Sequence, residues 1–406
     1  MRGRYRSQTS VGEHLYGAGT VRSFTVAERR ARLARRHFLS EGAASIDGVT
    51  ADLVGLHATD PATPYLSLWA RLPGFPVADL DAELYKRRSL VKHLAMRRTL
   101  WVVRAEDLPL IQPGASDRVA ATERRRLVAD AQKAGIAADG DTWLDTAGPA
   151  VLRHLAECGE ASAKEMRAAL PELAGSYDYA PGKSWGGESP LAPRILTVLS
   201  VRGDIVRGPN DGSWTVSRPR WVRMTDWLGT TVSAETAEVA RTELVRRWLR
   251  TFGPATVTDI KWWFGNTLTW ARQALRDVEA VEVDLDGAAG FALPDDLEVS
   301  PDPEPWAALL PGLDVTTMGW YDRDWYLGEH RSQVFDTNGN GGTTAWWNGR
   351  IVGGWGQDAD GRVEVRLLED VGRDGKRALD RLAEALTEWL SGVRVSPRFP
   401  SPMSRR

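Results

Sequence analysis

Groups of helices followed by a β-hairpin recur three times in this chain, and this recurrence constrains the fold more than any other feature of the sequence. In the first group, residues 25–39 and 79–90 predict helices, with Thr25 and Glu28 at the spacing of a capping box. The segment TLWVV, residues 99–103, is apolar and β-prone, which predicts a buried strand. This order, a group of helices followed by a β-hairpin, is that of a winged helix.

The second and third groups keep this order but not the residue identities. Residues 149–157 and 191–200 predict helices, and Ser162 begins another, with Glu165 at the spacing of a capping box. An aromatic–glycine loop is predicted over residues 177–187, and residues 203–222 predict a hairpin around a Pro-Asn-Asp-Gly turn. In the third group, residues 236–251 predict a long helix, Thr256 and Thr267 each predict the cap of a further helix, and Asp286-Gly287 predicts a hairpin turn. We therefore predict an α+β fold with three tandem winged-helix units, treated as a structural repeat. The predicted units are residues 24–145, 146–232 and 233–299.

The last quarter of the chain changes to alternating apolar and polar residues, which is the pattern of half-buried strands. Asn348-Gly349 is a strong hairpin turn, and residues 375–390 predict an amphipathic closing helix. These features predict a small sheet or barrel over residues 300–395. Residues 1–23 and 396–406 are predicted to be tails, the first disordered and the second loose.

Composition restricts the compartment and the kind of site. Cys158 is the only cysteine, which excludes an internal disulfide and fits a reducing cytoplasm. No apolar run approaches the roughly 20 residues of a membrane span, and the basic start of the chain does not resemble a secretory signal. The six histidines lack metal-ligand spacing. We expect a cytoplasmic monomer without a metal or another cofactor.

Charge is distributed unevenly, although the formal net charge is −2. Residues 1–150 carry 22 Lys and Arg against 17 Asp and Glu, whereas the remaining residues carry 30 against 37. This asymmetry predicts a basic face in the first part of the chain, although any single run can be a solvated helix face. The candidate phosphate contacts are arginines of the first helix and the first wing, namely Arg29, Arg30, Arg32, Arg35, Arg36, Arg97, Arg98 and Arg104.

Residues 53–69 place a polar turn between two apolar segments. The polar residues are His57, Thr59 and Asp60, and Pro61 disfavours a helical conformation at Asp60, so we predict an extended turn. Side chains alternate along an extended chain, and His57 and Thr59 are therefore expected to point to the same side. Such a turn can deliver reactive groups into a cleft. The alternative is a connection between two helices in which Asp60 is a cap.

Four phrases in this chain resemble the winged-helix DNA glycosylases of the AlkZ/YcaQ type. In order, they are LVGLxAxxPxxPYLSLWARLxGF, RRTLWVV, RxWLRTFGPATVTDxxWW and VFDTNGNGGTTAWWNGRIVGGW. The resemblance covers about residues 24–395 and implies three winged helices and a β-barrel-like domain that face one duplex. It implies hydrolysis of bulky N7-alkylated purines in double-stranded DNA, with self-resistance to a genotoxin as one role. It also implies that the hairpin over residues 346–350 approaches the duplex, with Arg350 as its contact.

The turn departs from the family pattern at the residues that decide the chemistry. The family carries Gln-x-Gln or Gln-x-Asp there, and these side chains hold the attacking water; this chain has His57 and Thr59 at the matching positions. A purine alkylated at N7 leaves as a cation without protonation, so the enzyme needs only to place one water and stabilise the sugar. Neutral His57 can place or activate the water, Thr59 can position it, and Asp60 can support His57. We expect turnover to rise through a histidine pKa near ~6.5.

Two other functions fit the same residues. A non-catalytic winged-helix protein, acting as a regulator or a lesion shield, would keep the basic surfaces and would not depend on His57. A small-molecule binder would use the tryptophan-rich core. The chain has 18 tryptophans, but most occupy helical or strand packing positions, so a core role is expected for them.

Overall fold

The computed structural model describes residues 21–179, 182 and 186–404. Most of the predicted N-terminal tail, and the last two residues of the predicted C-terminal tail, lie outside the described residues. Ser23 and Phe24, at the start of the described chain, bind the third unit: Ser23 forms a bridge with Asp284, and the Phe24 amide donates to the Asp284 carbonyl at 2.8 Å.

The first part of the chain forms short helices around a three-stranded antiparallel sheet of order β1-β3-β2. Thr25 caps the first helix as predicted, because its side chain accepts from the amide of Glu28. The helices are α1 (Val26–Arg36), α2 (Ile46–Asp52), α3 (Thr63–Trp69), α4 (Val77–Asp81), α5 (Leu108–Ile111) and α6 (Asp117–Lys133). The strands are β1 (Leu56–His57), β2 (Leu90–Leu94) and β3 (Leu100–Arg104).

The helix predicted over residues 79–90 has different bounds. Helix α4 begins at Val77 and continues as a π-helical turn through Arg87. It ends there because Arg88 adopts a left-handed conformation, with φ of 59°. Leu90 then begins strand β2, which pairs with β3 and buries its apolar residues in the core.

The second part contains the hairpin that the sequence predicts, but its first helix begins at Gly140 rather than at Pro149, because the Asp139 side chain caps it there. Ser162 and Glu165 form the predicted capping box. The predicted aromatic–glycine loop over residues 177–187 begins and ends in a short antiparallel pair instead. The helices are α7 (Gly140–Cys158), α8 (Ala163–Ala169), α9 (Ala192–Val201) and α10 (Met224–Leu228). The strands are β4 (Ser176–Tyr179), β5 (Gly187–Pro190), β6 (Ile205–Asn210) and β7 (Pro219–Arg223).

The third part follows the prediction closely. Thr236, Thr256 and Thr267 each accept a backbone amide and begin a helix. The helices are α11 (Ala237–Phe252), α12 (Val257–Phe264) and α13 (Leu268–Asp277), and the hairpin is β8 (Val281–Leu285) with β9 (Ala288–Ala292). Helices followed by antiparallel strands thus occur three times. Their assignment as winged-helix units with the stated domain bounds stays a prediction.

The C-terminal part is an open sheet, so the predicted barrel is wrong. Its four strands have the order β10-β11-β12-β13, and β10 and β13 remain edges among the described residues. Helix α16 packs across the sheet and buries Leu379 and Leu386 with Leu309 and Val352, which covers the apolar face without closure. The elements are β10 (Ala307–Leu310), α14 (Asp324–Leu327), α15 (Arg331–Val334), β11 (Thr344–Trp347), β12 (Arg350–Gln357), β13 (Val363–Leu367) and α16 (Gly372–Leu390).

A tryptophan-rich core joins the first, third and C-terminal parts. Trp101, Trp248, Trp263 and Trp346 are among the largest fully buried side chains, as expected for packing residues. The described end of the chain is also packed, which corrects the prediction of a loose tail. Ser401 is fully buried.

Candidate active site

The polar turn is an extension of strand β1 along strand β3. His57 lies opposite Trp101 in the ladder, and the amide of Ala58 donates to the Leu100 carbonyl at 2.8 Å. The Leu100 amide in turn donates to Thr59 Oγ1 at 3.1 Å. The extended turn predicted from the sequence is therefore present, and β3 fixes its path.

His57 is buried and neutral. It is 3% exposed, and its ring packs edge-on against Trp101 with 5.1 Å between the ring centroids. Burial, followed by the positive charge of Arg97, lowers the pKa of His57 to about 3. Its Nδ1 atom has no hydrogen-bond partner among the described residues. The imidazole thus offers an unused polar atom in its neutral form.

Asp60 fixes the turn. Its Oδ1 accepts from the Ala62 amide at 3.1 Å, and its Oδ2 accepts from the Arg398 amide at 2.8 Å. Neither oxygen is bonded to His57 in the part of the chain that the structure describes. Burial raises the pKa of the Asp60 carboxyl. Asp60 therefore holds the turn just ahead of α3. The N-cap of that helix is Ala62, without a side-chain capping hydrogen bond, so the alternative in which Asp60 caps a helix is wrong.

Arg97 is the cation next to His57. It stacks over Trp262 at 4.2 Å from the ring centroid, and its Nε and Nη2 atoms are buried without a partner among the described residues. Its backbone is left-handed, with φ of 54°, and a Cβ at Gly265 would lie 3.0 Å from the Arg97 Cα. Glycine at position 265 therefore allows this close approach. Burial lowers the pKa of Arg97 to about 9, so it stays charged near neutral pH.

The arginines of α1 mostly bind other parts of the protein. Arg32 is 2% exposed and pairs with Asp296 at 3.0 Å, and Arg36 pairs with the same carboxylate at 2.6 Å. Arg29 stacks on Trp325, and Arg35 lies 3.4 Å from Glu41. The sequence predicted Arg32 as a surface contact for DNA, but its guanidinium lies in the interior.

Of the other predicted DNA contacts, Arg98 and Arg350 are the more exposed. Arg98 is exposed and pairs with Glu123 at 2.5 Å, and Arg350 is exposed and pairs with Glu369 at 2.7 Å. The tip of the hairpin that carries Arg350 packs on protein: Asn348 Oδ1 accepts from the Trp306 amide at 2.9 Å. Arg104 pairs with Asp107 at 2.7 Å.

A buried ion pair lies behind the turn, and sequence reasoning missed it. Arg71, just after α3, pairs with Asp314 at 2.8 Å, and both side chains have no exposed area. Ser67 of α3 also donates to Asp314, at 2.6 Å. The pair fixes α3 to the C-terminal part. The negative charge of Asp314 raises the pKa of His57, whereas the positive charge of Arg97 lowers it. Only the three-dimensional contact reveals it, because the two residues are 243 positions apart.

The described ranges contain neither a membrane-spanning helix nor a cluster of metal-ligating side chains. No helix there is long and apolar enough to cross a membrane. No group of three or more His, Cys, Asp or Glu side chains there is arranged to hold a metal ion.

The comparisons with known proteins agree with the resemblance. The solved structure of Streptomyces sahachiroi DNA glycosylase AlkZ superposes with a TM-score of 0.70 at 20% identity, covering 92% of this chain and 99% of that chain. At this identity the likeness shows the fold. No curated protein matches the sequence. The sequence model of the AlkZ-like DNA glycosylases matches residues 50–389, and the chain therefore belongs to the AlkZ-like DNA glycosylase family.

Proposed function

We propose that this protein hydrolyses the N-glycosidic bond of bulky N7-alkylated purines in double-stranded DNA. The observation that carries the proposal is His57, a neutral, buried imidazole with an unused Nδ1 atom at the water-holding position of the family turn. Family membership supports the reaction class. Bulky lesions of this kind are products of genotoxins, so self-resistance is the role that we propose for the activity.

In the proposed reaction, His57 positions the attacking water rather than removing its proton. An imidazole with a pKa of about 3 is a weak base, and a general base works best when its pKa lies near the operating pH. The water oxygen bonds to the anomeric carbon as the bond to the purine breaks. The bonding electrons neutralise the cationic purine, and the proton of the water passes to solvent.

Thr59 and Asp60 have supporting roles in this proposal. Thr59 Oγ1 accepts from the Leu100 amide, which leaves its hydroxyl proton free to contact the water or the sugar. Asp60 is a positioning residue, because its two hydrogen bonds hold the turn that carries His57. The chemistry then requires no cofactor.

The proposed DNA face contains the predicted arginines that remain at least partly exposed. These are Arg29, Arg30, Arg35, Arg36, Arg97, Arg98, Arg104 and Arg350. Arg32 is left out because it is buried in its pair with Asp296. Phosphate contacts release counterions, so affinity for duplex DNA should fall steeply as salt rises. Affinity that does not change with salt, or with Arg35 and Arg36 both replaced by Ala, would contradict this face.

A second function is favoured by the geometry of Thr59 and Asp60. Both side chains already accept backbone amides, Thr59 from Leu100 and Asp60 from Arg398, and His57 is almost fully buried, as in a DNA-binding protein that has no hydrolytic step. The two functions are distinguished by measuring the purine released from duplexes that have been alkylated by several agents. Release above the spontaneous rate supports the glycosylase. Binding without release from any of the duplexes supports the non-catalytic protein.

A further inference from the structure

A small cleft lies beside the polar turn, between the first sheet and the second hairpin. Ala58 and Pro61 of the turn form part of its lining, and Leu100 of β3 lies next to them. Two cations also line the cleft, Lys92 of β2 and Arg207 of β6. The cleft and the candidate active site therefore share the same turn.

A third cation reaches the turn from the end of the chain. The guanidinium of Arg398 donates to the Thr59 carbonyl at 3.3 Å, while its backbone amide donates to Asp60. The charge of Arg398 acts on Arg207, and the charge of Arg207 acts on Lys92. The three cations thus form one electrostatic cluster.

None of these cations forms an ion pair with a residue that the structure describes. Lys92 Nζ donates to the hydroxyl of Tyr85 at 2.9 Å. Arg207 stacks over Trp221 at 4.7 Å, and its Nε atom is buried without a partner. The carboxylate that acts on Lys92 is Asp81, which accepts a hydrogen bond from Tyr65 at 2.7 Å. Arg32, Arg35 and Arg36 of α1, by contrast, are paired with carboxylates.

The uncompensated charge has a measurable consequence. Burial and the charge of Arg207 lower the pKa of Lys92 to about 8, and burial and the charge of Arg398 lower that of Arg207 to about 10. Because both pKa values are lowered, the surroundings disfavour the protonated forms of Lys92 and Arg207. An anion in the cleft would reverse this effect, because it would compensate all three cations at once.

We propose that Lys92, Arg207 and Arg398 bind a backbone phosphate of the DNA, and that this contact places the target nucleotide against the turn. The inference rests on the proposed function, which supplies the DNA. A guanidinium and an ammonium suit the dispersed charge of a phosphodiester. Because the sugar and its phosphate belong to one nucleotide, a phosphate at the cleft keeps the target nucleotide beside Ala58 and Pro61 of the turn, whereas the His57 side chain lies on the opposite face of the strand, beside Trp101.

The first test compares Arg207→Gln with Arg381→Gln, whose arginine is exposed on α16 away from the cleft. The affinity for duplex DNA is measured as a function of salt. Loss of one phosphate contact should weaken binding about tenfold and reduce the salt slope by about 0.9 for Arg207→Gln, with no change for Arg381→Gln. Arg207→Lys keeps the charge and should keep the slope. Equal slopes for both glutamine variants overturn the proposal.

The second test needs no variant. Reductive methylation of the wild-type protein is followed by mass spectrometry, with Lys376 of α16, an exposed lysine paired with Asp380, as the internal control. Duplex DNA should protect Lys92 and should leave Lys376 reactive. A Lys92 that stays unmodified without DNA contradicts the proposal, since an amine closed to a small reagent is also closed to a phosphate. Protection by inorganic phosphate but not by duplex DNA contradicts it as well.

The two proposals fail in different ways. If the wild type binds duplex but releases no purine, the glycosylase proposal fails while both tests of the phosphate site still apply. If the wild type releases purine but Arg207→Gln binds like Arg381→Gln, only the phosphate site fails. If the wild type does not bind duplex DNA, both fail.

Discussion

The backbone amide of Arg398 donates to the carboxylate of Asp60 at 2.8 Å, so the end of the described chain closes on the turn that carries His57. Asp60 also accepts the amide of Ala62, and its carboxylate therefore joins three segments: the turn, the start of α3 and the C-terminal segment. The conformation of the turn depends on a contact between residues 338 positions apart.

This contact predicts that Asp60→Ala destabilises the protein. The substitution leaves the buried amide of Ala62 and the partly buried amide of Arg398 without their acceptors, and a buried unsatisfied group costs about 1–3 kcal/mol. Urea denaturation measures the change in the free energy of unfolding. Asp60→Asn keeps one acceptor oxygen and should lose less. Wild-type stability in Asp60→Ala would show that the carboxylate does not hold the turn.

Excision should be independent of pH between about 5 and 8. The sequence predicted a rise through a histidine pKa near ~6.5, but burial lowers the pKa of His57 to about 3, so the imidazole stays neutral over this range. The measurement is the single-turnover rate of purine release against pH, corrected for spontaneous loss. A titration near pH 6.5 that disappears in His57→Ala would contradict the burial of this side chain.

Stability, unlike excision, should depend on pH. Burial lowers the pKa of His37 to about 3, of His57 to about 3 and of His93 to about 4, so the unfolded chain binds protons at a higher pH than the folded chain. The neutral histidines stabilise the folded protein above pH ~6.5, the pKa of a histidine in the unfolded chain. This stabilisation is lost as the pH falls from there towards the pKa values of the folded protein. Each histidine should contribute a loss of up to about 1.4 kcal/mol per pH unit below pH ~6.5.

Urea midpoints at pH 7 and pH 5.5 measure this dependence. His93→Phe should reduce it, because one of the three titrating groups is removed and the two ring nitrogens of His93 have no partner among the described residues. The phenyl ring keeps the site apolar and filled. An unchanged dependence in His93→Phe would show that His93 is not a buried neutral group.

Glu369 should restrain the hairpin contact with DNA. Arg350, the proposed contact, pairs with Glu369 at 2.7 Å, and His330 lies 3.1 Å from the same carboxylate. Arg350→Ala should weaken binding to damaged duplex, whereas Glu369→Gln should strengthen it, because the guanidinium is released from its pair. Affinities from fluorescence anisotropy test both. No change in either variant would remove the hairpin tip from the proposed DNA face.

Local features were predictable from the sequence because local interactions determine them. Thr25, Ser162, Thr256 and Thr267 cap the helices that they were predicted to cap, because a capping hydrogen bond spans three residues. The extended turn at His57 was predictable for the same reason, since Pro61 restricts the residue before it.

Features that depend on distant partners were not predictable. Whether a sheet closes into a barrel depends on the pairing of its edge strands, and α16 covers the C-terminal sheet instead. Arg32 is one of a basic run in the sequence, but its partner Asp296 lies 264 positions away. Lys92 and Arg207 were not predicted as site residues, because each is a single cation among strand residues and only the packing of β2 against β6 brings them to one cleft.

The most direct test is purine release by His57→Ala from a duplex that carries a bulky N7-alkylpurine. We expect a rate lower than that of the wild type by roughly two orders of magnitude or more, because the attacking water loses its productive position, with duplex affinity and folding unchanged. Arg381→Gln, altered on the exposed face of α16, should release purine at the wild-type rate. Wild-type release by His57→Ala would contradict the assignment of His57 as the residue that positions the water.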